Sequence, residues 1–363
     1  MNLHEKIEAI RNRLGKKLLI LGHHYQREEV IEHTDLRGDS FQLSAAAAEN
    51  LDCESIVFCG VHFMAETADI LANSPENLAR RNGRRVDVVL PDLEAGCPMA
   101  DMATRADVEQ CWKKLSEVID IDDIVPVTYV NSSAALKAFC GIHGGLACTS
   151  TNARAVLEWA LARKQRVLFF PDQHLGRNTA LAMGISETSM PLWDKDMPDF
   201  GGNQAGVIRN SRIILWNGYC NVHQKFTPEQ IDAIRRAEPN IRIIVHPECS
   251  RAVVEKVDES GSTSYILNRI NESEPGSKWA VGTEGQFVER LARLNPNKTV
   301  LNLSPEPSYC ETMSLIDPLK LAESLESIEA GTPKNVIRVD DRTAVDALKC
   351  LQRMLRCKDS QVG

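Results

Sequence analysis

Nine short apolar runs recur along the chain between helix-patterned stretches, and no other feature restricts its fold so strongly. They occupy residues 18–21, 55–61, 86–90, 124–130, 166–170, 212–216, 242–245, 279–281 and 300–303. Unbroken Val, Ile and Leu runs of this length are the pattern of strands buried on both faces. Strands alternating with helices require right-handed crossovers and parallel sheets covered by helices, so the fold class is α/β.

Taken in threes, the runs expose an internal repeat. The first run of each trio ends in polar residues: His23, His24 and Tyr25; Tyr129 and Asn131; His246 and Glu248. A hydroxyl-rich segment then opens a helix, at 38–40, 148–151 and 261–264. Beyond each third run stands one cysteine, Cys97, Cys220 and Cys310. Three strands alone would leave sheet edges and helix faces uncovered, so the units are expected to pack around a shared centre. The expected architecture is three pseudo-symmetric three-layer αβα domains, 15–105, 106–222 and 223–334, with the tail 335–363 available to complete the first. Ligands of parallel sheets bind outside the carboxyl ends of the strands, where every one of these polar clusters lies.

Charge narrows the partners. Fifty acidic residues against 42 basic ones give −8, which leaves no electrostatic footprint for nucleic acid or an anionic membrane. The start of the chain is charged and amphipathic and no window approaches 18 uninterrupted apolar residues, so a soluble cytoplasmic protein with small-molecule partners is expected. Eleven cysteines in 363 residues fall short of a disulfide scaffold, and reduced thiols are expected.

A lone cysteine is usually a small buried hydrophobe. Equivalent placement in three repeats sets Cys97, Cys220 and Cys310 apart as metal ligands. Three protein ligands with a fourth position open is the arrangement of a catalytic site, with zinc and iron-sulfur both compatible. Cys53, Cys59, Cys111, Cys140, Cys350 and Cys357 read as structural, and Cys148 and Cys249 are left out of the site. Strand alternation aims His23 with Tyr25, Tyr129 with Asn131 and His246 with Glu248 to one side, as groups that move protons near neutral pH. It turns His24 to the other side, as a surface residue. Ser40, Ser150, Ser262 and Thr263 could be ordinary helix caps. Three helix starts facing one cavity would instead offer amides and partial positive charge to a ligand with several anionic groups. No G-x-G-x-x-G follows a strand and no phosphate loop is present, which disfavours a nucleotide enzyme. The residues by themselves admit an iron-sulfur enzyme, a zinc hydrolase or lyase, and a non-enzymatic polyanion binder or redox sensor.

The segments LGHHYQ at 21–26, HTDLRGDS at 33–40, FMAETADIL at 63–71, LPDLEAGCPMAD at 90–101, PDQHLGRN at 171–178, WNGYC at 216–220, HPEC at 246–249 and GSTSYI at 261–266 resemble the quinolinate synthase family of de novo NAD biosynthesis. The likeness runs from about residue 15 to residue 315. It implies three αβα domains around a central cavity and a [4Fe-4S] cluster held by Cys97, Cys220 and Cys310, its open iron a Lewis acid. The implied reaction condenses iminoaspartate with dihydroxyacetone phosphate, releasing quinolinate, phosphate and two waters. By this resemblance Glu248, with His246, serves as acid and base; Tyr25 lies near the open iron; His23 and Tyr129 complete the proton-handling set; Asn131, Ser40, Ser150, Ser262 and Thr263 hold carboxylate or phosphate. Functional coupling to an L-aspartate oxidase is implied by the pathway. The stretches 186–210, 73–85 and 140–147 are longer than compact members carry, and Asn221 is given no role.

Overall fold

A computed structural model describes residues 2–357. Its strands form three sheets. The first contains β1 (Leu18–His23), β2 (Leu36–Gly38), β3 (Ser55–Cys59) and β4 (Asp87–Val89). The second contains β5 (Ile124–Tyr129), β6 (Leu146–Cys148), β7 (Arg166–Phe170), β8 (Leu192–Trp193) and β9 (Ile213–Trp216). The third contains β10 (Arg242–Val245), β11 (Glu259–Ser260), β12 (Lys278–Gly282) and β13 (Thr299–Asn302). A last strand, β14 (Val336–Ile337), joins the first sheet antiparallel to β4. Every other pairing is parallel, and the strand orders β2-β1-β3-β4, β6-β5-β7-β9 and β11-β10-β12-β13 are the same three times over. Helices flank all three sheets, and the class is α/β.

All nine apolar runs are strands. The expectation of three strands per unit misses β2, β6 and β11, each two or three residues long and hydrogen-bonded beside the first strand of its unit. Each delivers the chain to the hydroxyl-rich segment and thence to the helices Ser40–Glu49, Ala153–Leu161 and Thr263–Asn271. The long stretch 186–210 supplies β8, which extends the second sheet beyond β9.

Continuous burial fits the runs to two-sided strands. In the third sheet Ile243, Val245 and Ala280 pack on one face with Ile231 and Val253, while Ile244, Trp279 and Val281 pack on the other with Ile266, Phe287 and Leu291. Side chains alternate along a strand, so one apolar run feeds both cores.

The units exchange helices in a ring. After Cys97 the helix Arg105–Leu115 puts Val108, Cys111 and Leu115 into the second core. After Cys220 the helix Pro228–Ala237 puts Ile231 into the third. After Cys310 the helix Pro318–Glu329 puts Leu321, Ala322 and Leu325 into the first, although sequence order would leave it with 223–334. The caps of these helices, Thr104, Thr227 and Asp317, each stand seven residues beyond their cysteine (97 to 104, 220 to 227, 310 to 317). Cys97, Cys220 and Cys310 therefore each lie on a segment crossing from one unit to the next, which is why residues so far apart in sequence reach the centre. The tail divides: β14 completes the first sheet, whereas the helix Asp341–Arg356 buries Ala347, Cys350, Leu351 and Met354 in the second core. Residues 358–363 lie outside the described residues. Among the described residues no helix is long and apolar enough to cross a membrane.

Candidate active site

The polar ends of β1, β5 and β10 meet around a cavity of about 330 Å³. Its wall contains Cys97, Cys220 and Cys310, the pairs His23 with Tyr25, Tyr129 with Asn131 and His246 with Glu248, and the hydroxyl residues Ser40, Ser150 and Thr263. Val61, Phe63, Met64 and Met99 supply an apolar side. Ser262 stays out of the wall: its hydroxyl accepts the Tyr265 N–H and caps the helix Thr263–Asn271. None of the other eight cysteines lines the cavity.

The i, i+2 pairs fix tautomers as well as positions. The Tyr25 N–H donates to His23 Nδ1 at 3.2 Å and the Glu248 N–H to His246 Nδ1 at 3.4 Å. A ring nitrogen that accepts carries no proton in the neutral imidazole, so both rings hold theirs on Nε2. Burial lowers the pKa of each to about 3, with neighbouring histidines adding to the effect, and both rings are neutral donors at physiological pH.

Glu248 is the focus of the hydrogen bonding. Tyr129 Oη donates to its Oε1 at 2.5 Å, and His223 Nδ1 lies 3.1 Å from its Oε2. Burial alone would raise the pKa of this carboxyl. His246 and His223 beside it, with the hydrogen bonds from His223 and Tyr129, outweigh burial and keep it ionised. Tyr25 and Tyr129 move the other way, because burial and the Glu248 charge both disfavour a phenolate. The site therefore holds an ionised carboxylate at Glu248 beside protonated phenols, the separation of protonation states that acid–base chemistry needs.

Several wall residues had escaped the sequence reading. His223 is buried and stacks on His246, centroids 4.4 Å apart at 15°. It stands three residues after Cys220, and its N–H donates to the Cys220 carbonyl at 3.1 Å, a tight turn that returns it to the side of the cysteine. Lys225 brings a cation to the cavity. Asp39 binds the three hydroxyl segments together: its Oδ2 accepts from Thr151 Oγ1 at 2.9 Å and Ser264 Oγ at 2.6 Å. Its Oδ1 accepts from the Phe41 and Gln42 N–H groups, so this helix start is capped by its own carboxylate. With Ser262 capping the third helix, only Ala153–Leu161 begins without a side-chain cap. Two of the three helix starts are therefore closed by side-chain caps of their own. Asn131 Oδ1 is buried without a hydrogen-bond partner, an unmet group of the kind a ligand completes. His24 points away from the cavity but is buried rather than on the surface, because the third unit packs over it: its ring lies 5.3 Å from Phe287, and its carbonyl accepts from Arg290.

The cysteines bear on what the cavity could hold. Burial pushes the Cys97 thiol up to about 12 and the Cys220 and Cys310 thiols above their ordinary value, so thiolates form there only with a cation to stabilise them. Glu284 accepts the Cys310 N–H at 3.3 Å and fixes that loop. Three sulfurs on one tetrahedral ion lie about 3.8 Å apart. Cys97, Cys220 and Cys310 do not form a group with ligand atoms all within 4.8 Å of one another, whereas Cys220, His223 and Glu248 do.

A family model described as "Quinolinate synthetase A protein" matches residues 5–356. The chain is 57% identical over 356 residues to a quinolinate synthase of Rhodopirellula baltica, covering 98% of this chain and 91% of the relative. It is 50% identical over 353 residues to one of Corynebacterium glutamicum, with 97% and 87% covered, and 48% identical over 354 residues to one of Bacillus subtilis, with 98% and 93% covered. On near full-length matches of this kind, carried by a three-unit α/β fold with one central site, the chain belongs to the quinolinate synthetase A family of enzymes.

Proposed function

We propose that the chain makes quinolinate by condensing iminoaspartate with dihydroxyacetone phosphate, releasing phosphate and two waters. The observation that carries this reading is the convergence, in one cavity, of a cysteine from each unit with a carboxylate base and protonated phenols. Cys97, Cys220 and Cys310 would hold a [4Fe-4S] cluster, which when bound supplies a Lewis acid through an iron that has no protein ligand.

The remaining chemistry falls to the chain's own side chains. Both substrates are anionic, and Ser40, Ser150, Thr263, the Asn131 amide and Lys225 are donors for carboxylate and phosphate oxygens. Glu248, ionised and buried, removes a proton during enolisation and returns one during dehydration. Tyr129 orients that carboxylate through the 2.5 Å hydrogen bond. His23 and His246, each with its proton on Nε2, donate to developing negative charge without themselves becoming cations. Tyr25 supplies a proton to a departing hydroxide. Because iminoaspartate is an unstable imine, delivery from an L-aspartate oxidase belongs to the same reading.

The compact Cys220, His223 and Glu248 group favours a second reading, a mononuclear zinc lyase or hydrolase. A direct assay separates the two. Anaerobically iron- and sulfide-loaded chain is expected to convert iminoaspartate and dihydroxyacetone phosphate to quinolinate, and Glu248→Gln to lose at least about a hundredfold in kcat with its visible cluster absorbance retained. Zinc-loaded protein that is active, with iron-loaded protein inert, would favour the second reading.

A further inference from the structure

Away from the cavity, the helix Leu3–Leu14 lays one face along the segment 32–35, and the two meet in three rungs. His4 Nδ1 lies 3.5 Å from Glu32 Oε1, His33 Nδ1 lies 2.6 Å from Glu8 Oε1, and Arg11 Nη2 donates to Asp35 Oδ1 at 2.7 Å. His4, Glu8 and Arg11 are spaced by four and three residues, which puts them on one helix face. The last rung is fixed to the first sheet, because Asp35 Oδ2 accepts the Ile20 N–H of β1 at 2.7 Å. None of these six residues lines the cavity.

The middle rung sets the protonation of the others. Burial opposes charge on Glu8, but the hydrogen bonds from His33 and Arg11 outweigh it and keep the carboxyl ionised. An ionised carboxylate can only accept, so the His33 proton facing it is on Nδ1. The neutral ring then presents a bare lone pair at Nε2, and the group opposite, Glu32 Oε1 at 3.7 Å, is an acceptor too. A second proton on His33 would draw these atoms into a hydrogen bond, and 3.7 Å is too long for one. Among the described residues Glu32 has no Lys or Arg partner. The same carboxylate oxygen faces His4 Nδ1, and the ligand atoms of His4, Glu32 and His33 all lie within 4.8 Å of one another. Bonds of about 2.0–2.1 Å to a tetrahedral centre place donor atoms about 3.3–3.4 Å apart, so small side-chain movements close the set on one ion.

We propose that His4, Glu32 and His33 form a second metal site, outside the central cavity, for a zinc-like divalent ion whose fourth position is filled by water. Two imidazoles and one carboxylate are donors for zinc, whereas magnesium and calcium take oxygen ligands. Glu8 is the outer-shell partner: a carboxylate on the far nitrogen of a ligating imidazole fixes its tautomer and raises its basicity. Arg11 holds that carboxylate in turn, at 2.8 Å from Nη1 to Oε1. The ligands come from two elements, His4 from the N-terminal helix and Glu32 with His33 from the turn that follows the helix Glu28–Ile31. The bound ion therefore staples the N-terminal helix, which buries Ile7 and Ile10 in the first core, to the segment that leads into β2. No step of the proposed reaction uses this ion, so the site stands or falls separately from the functional reading.

The test loads the chain with iron and sulfide, dialyses it anaerobically against zinc, counts bound zinc, and reads its ligands at the zinc X-ray absorption edge, which sees zinc alone in the presence of iron. About one zinc per chain is expected, with nitrogen and oxygen neighbours and no sulfur. Zinc is expected to raise the urea midpoint of the parent, as any ligand of the folded state does. His4→Ala and Glu32→Gln, both at exposed positions, are each expected to weaken zinc at least about tenfold, the loss of an outer-shell partner alone costing about that much. In both the rise in midpoint should vanish, with iron and sulfide content unaltered. No bound zinc, sulfur among its neighbours, or equal affinity in parent and variants overturns the site. Zinc that binds through these residues without raising the midpoint overturns the staple. A parent chain that makes no quinolinate yet binds zinc as described overturns the functional reading and leaves the metal site standing.

Discussion

At the level of single residues, alternation along a strand carries most of what could be known in advance, and neighbours from other units carry the rest. The His24 imidazole is turned from the cavity by that alternation, yet it is buried against Phe287 with Nε2 lacking a partner. Burial lowers its pKa from 6.5 to about 4, Asp39 opposing and Arg290 reinforcing. The unfolded chain therefore binds a proton at His24 that the folded chain refuses throughout this interval, so the stability of the neutral form is complete above pH 6.5 and drains away as the pH falls toward 4. That difference is worth roughly 3 kcal/mol. His24→Phe is expected to flatten the loss: the drop in urea midpoint between pH 7 and pH 5 should be smaller in the variant than in the parent, and an equal drop would contradict the assignment. The three i, i+2 pairs were legible from the period of two, and so were the three cysteines from their repeated position. His223 and Asp39 were not, because each matters through a residue more than 20 positions away, as with His223 and Glu248 or Asp39 and Ser264. His23 and His246 were named as proton carriers, but which nitrogen holds the proton follows only from the backbone N–H two residues on.

Among the elements, the long apolar strands announced themselves and the short ones did not. The segments Leu36–Gly38 and Glu259–Ser260 are too brief and too polar to show a strand pattern, and they exist because the first strand of each unit has a free edge to pair with. The destination of the terminal helix Asp341–Arg356 was equally hidden, since an amphipathic face does not say which core receives it. Here a glycine decides. A Cβ on Gly141, in the helix Ala134–Ile142, would stand 1.8 Å from the Asp346 carbonyl oxygen, so the two helices touch backbone to backbone. Arg353 Nη1 bonds the Gly145 carbonyl at 2.6 Å and Asn152 Nδ2 bonds the Cys357 carbonyl at 2.9 Å, holding the same helix down. Gly141→Ala is expected to destabilise by roughly 2–3 kcal/mol in urea unfolding and to render the C-terminal helix sensitive to protease. Gly206→Ala, where a Cβ meets nothing within 4 Å, should change little. Equal effects at the two glycines would contradict the close crossing.

Over the whole molecule, the exchange of helices around the ring is what makes a single site out of three sheets. Each crossing segment carries one cysteine inward and, seven residues on, caps a helix that packs into the next unit. The repeat was visible in sequence as spacing, and the recurring cap residue was there to be read; the identity of the receiving core was not, because sequence order suggests that a helix stays with the strands before it. The arrangement ties assembly of the centre to docking of all three units. The most direct measurement of the central claim is anaerobic quantitation of iron and acid-labile sulfide per chain, in the parent, in Cys97→Ala and in Cys111→Ala. About four of each are expected in the parent and in Cys111→Ala, with a large loss in Cys97→Ala, the stoichiometry of a [4Fe-4S] centre on three shared ligands. About one zinc per chain without sulfide, or a Cys97→Ala chain that keeps its full complement of iron and sulfide, would contradict it.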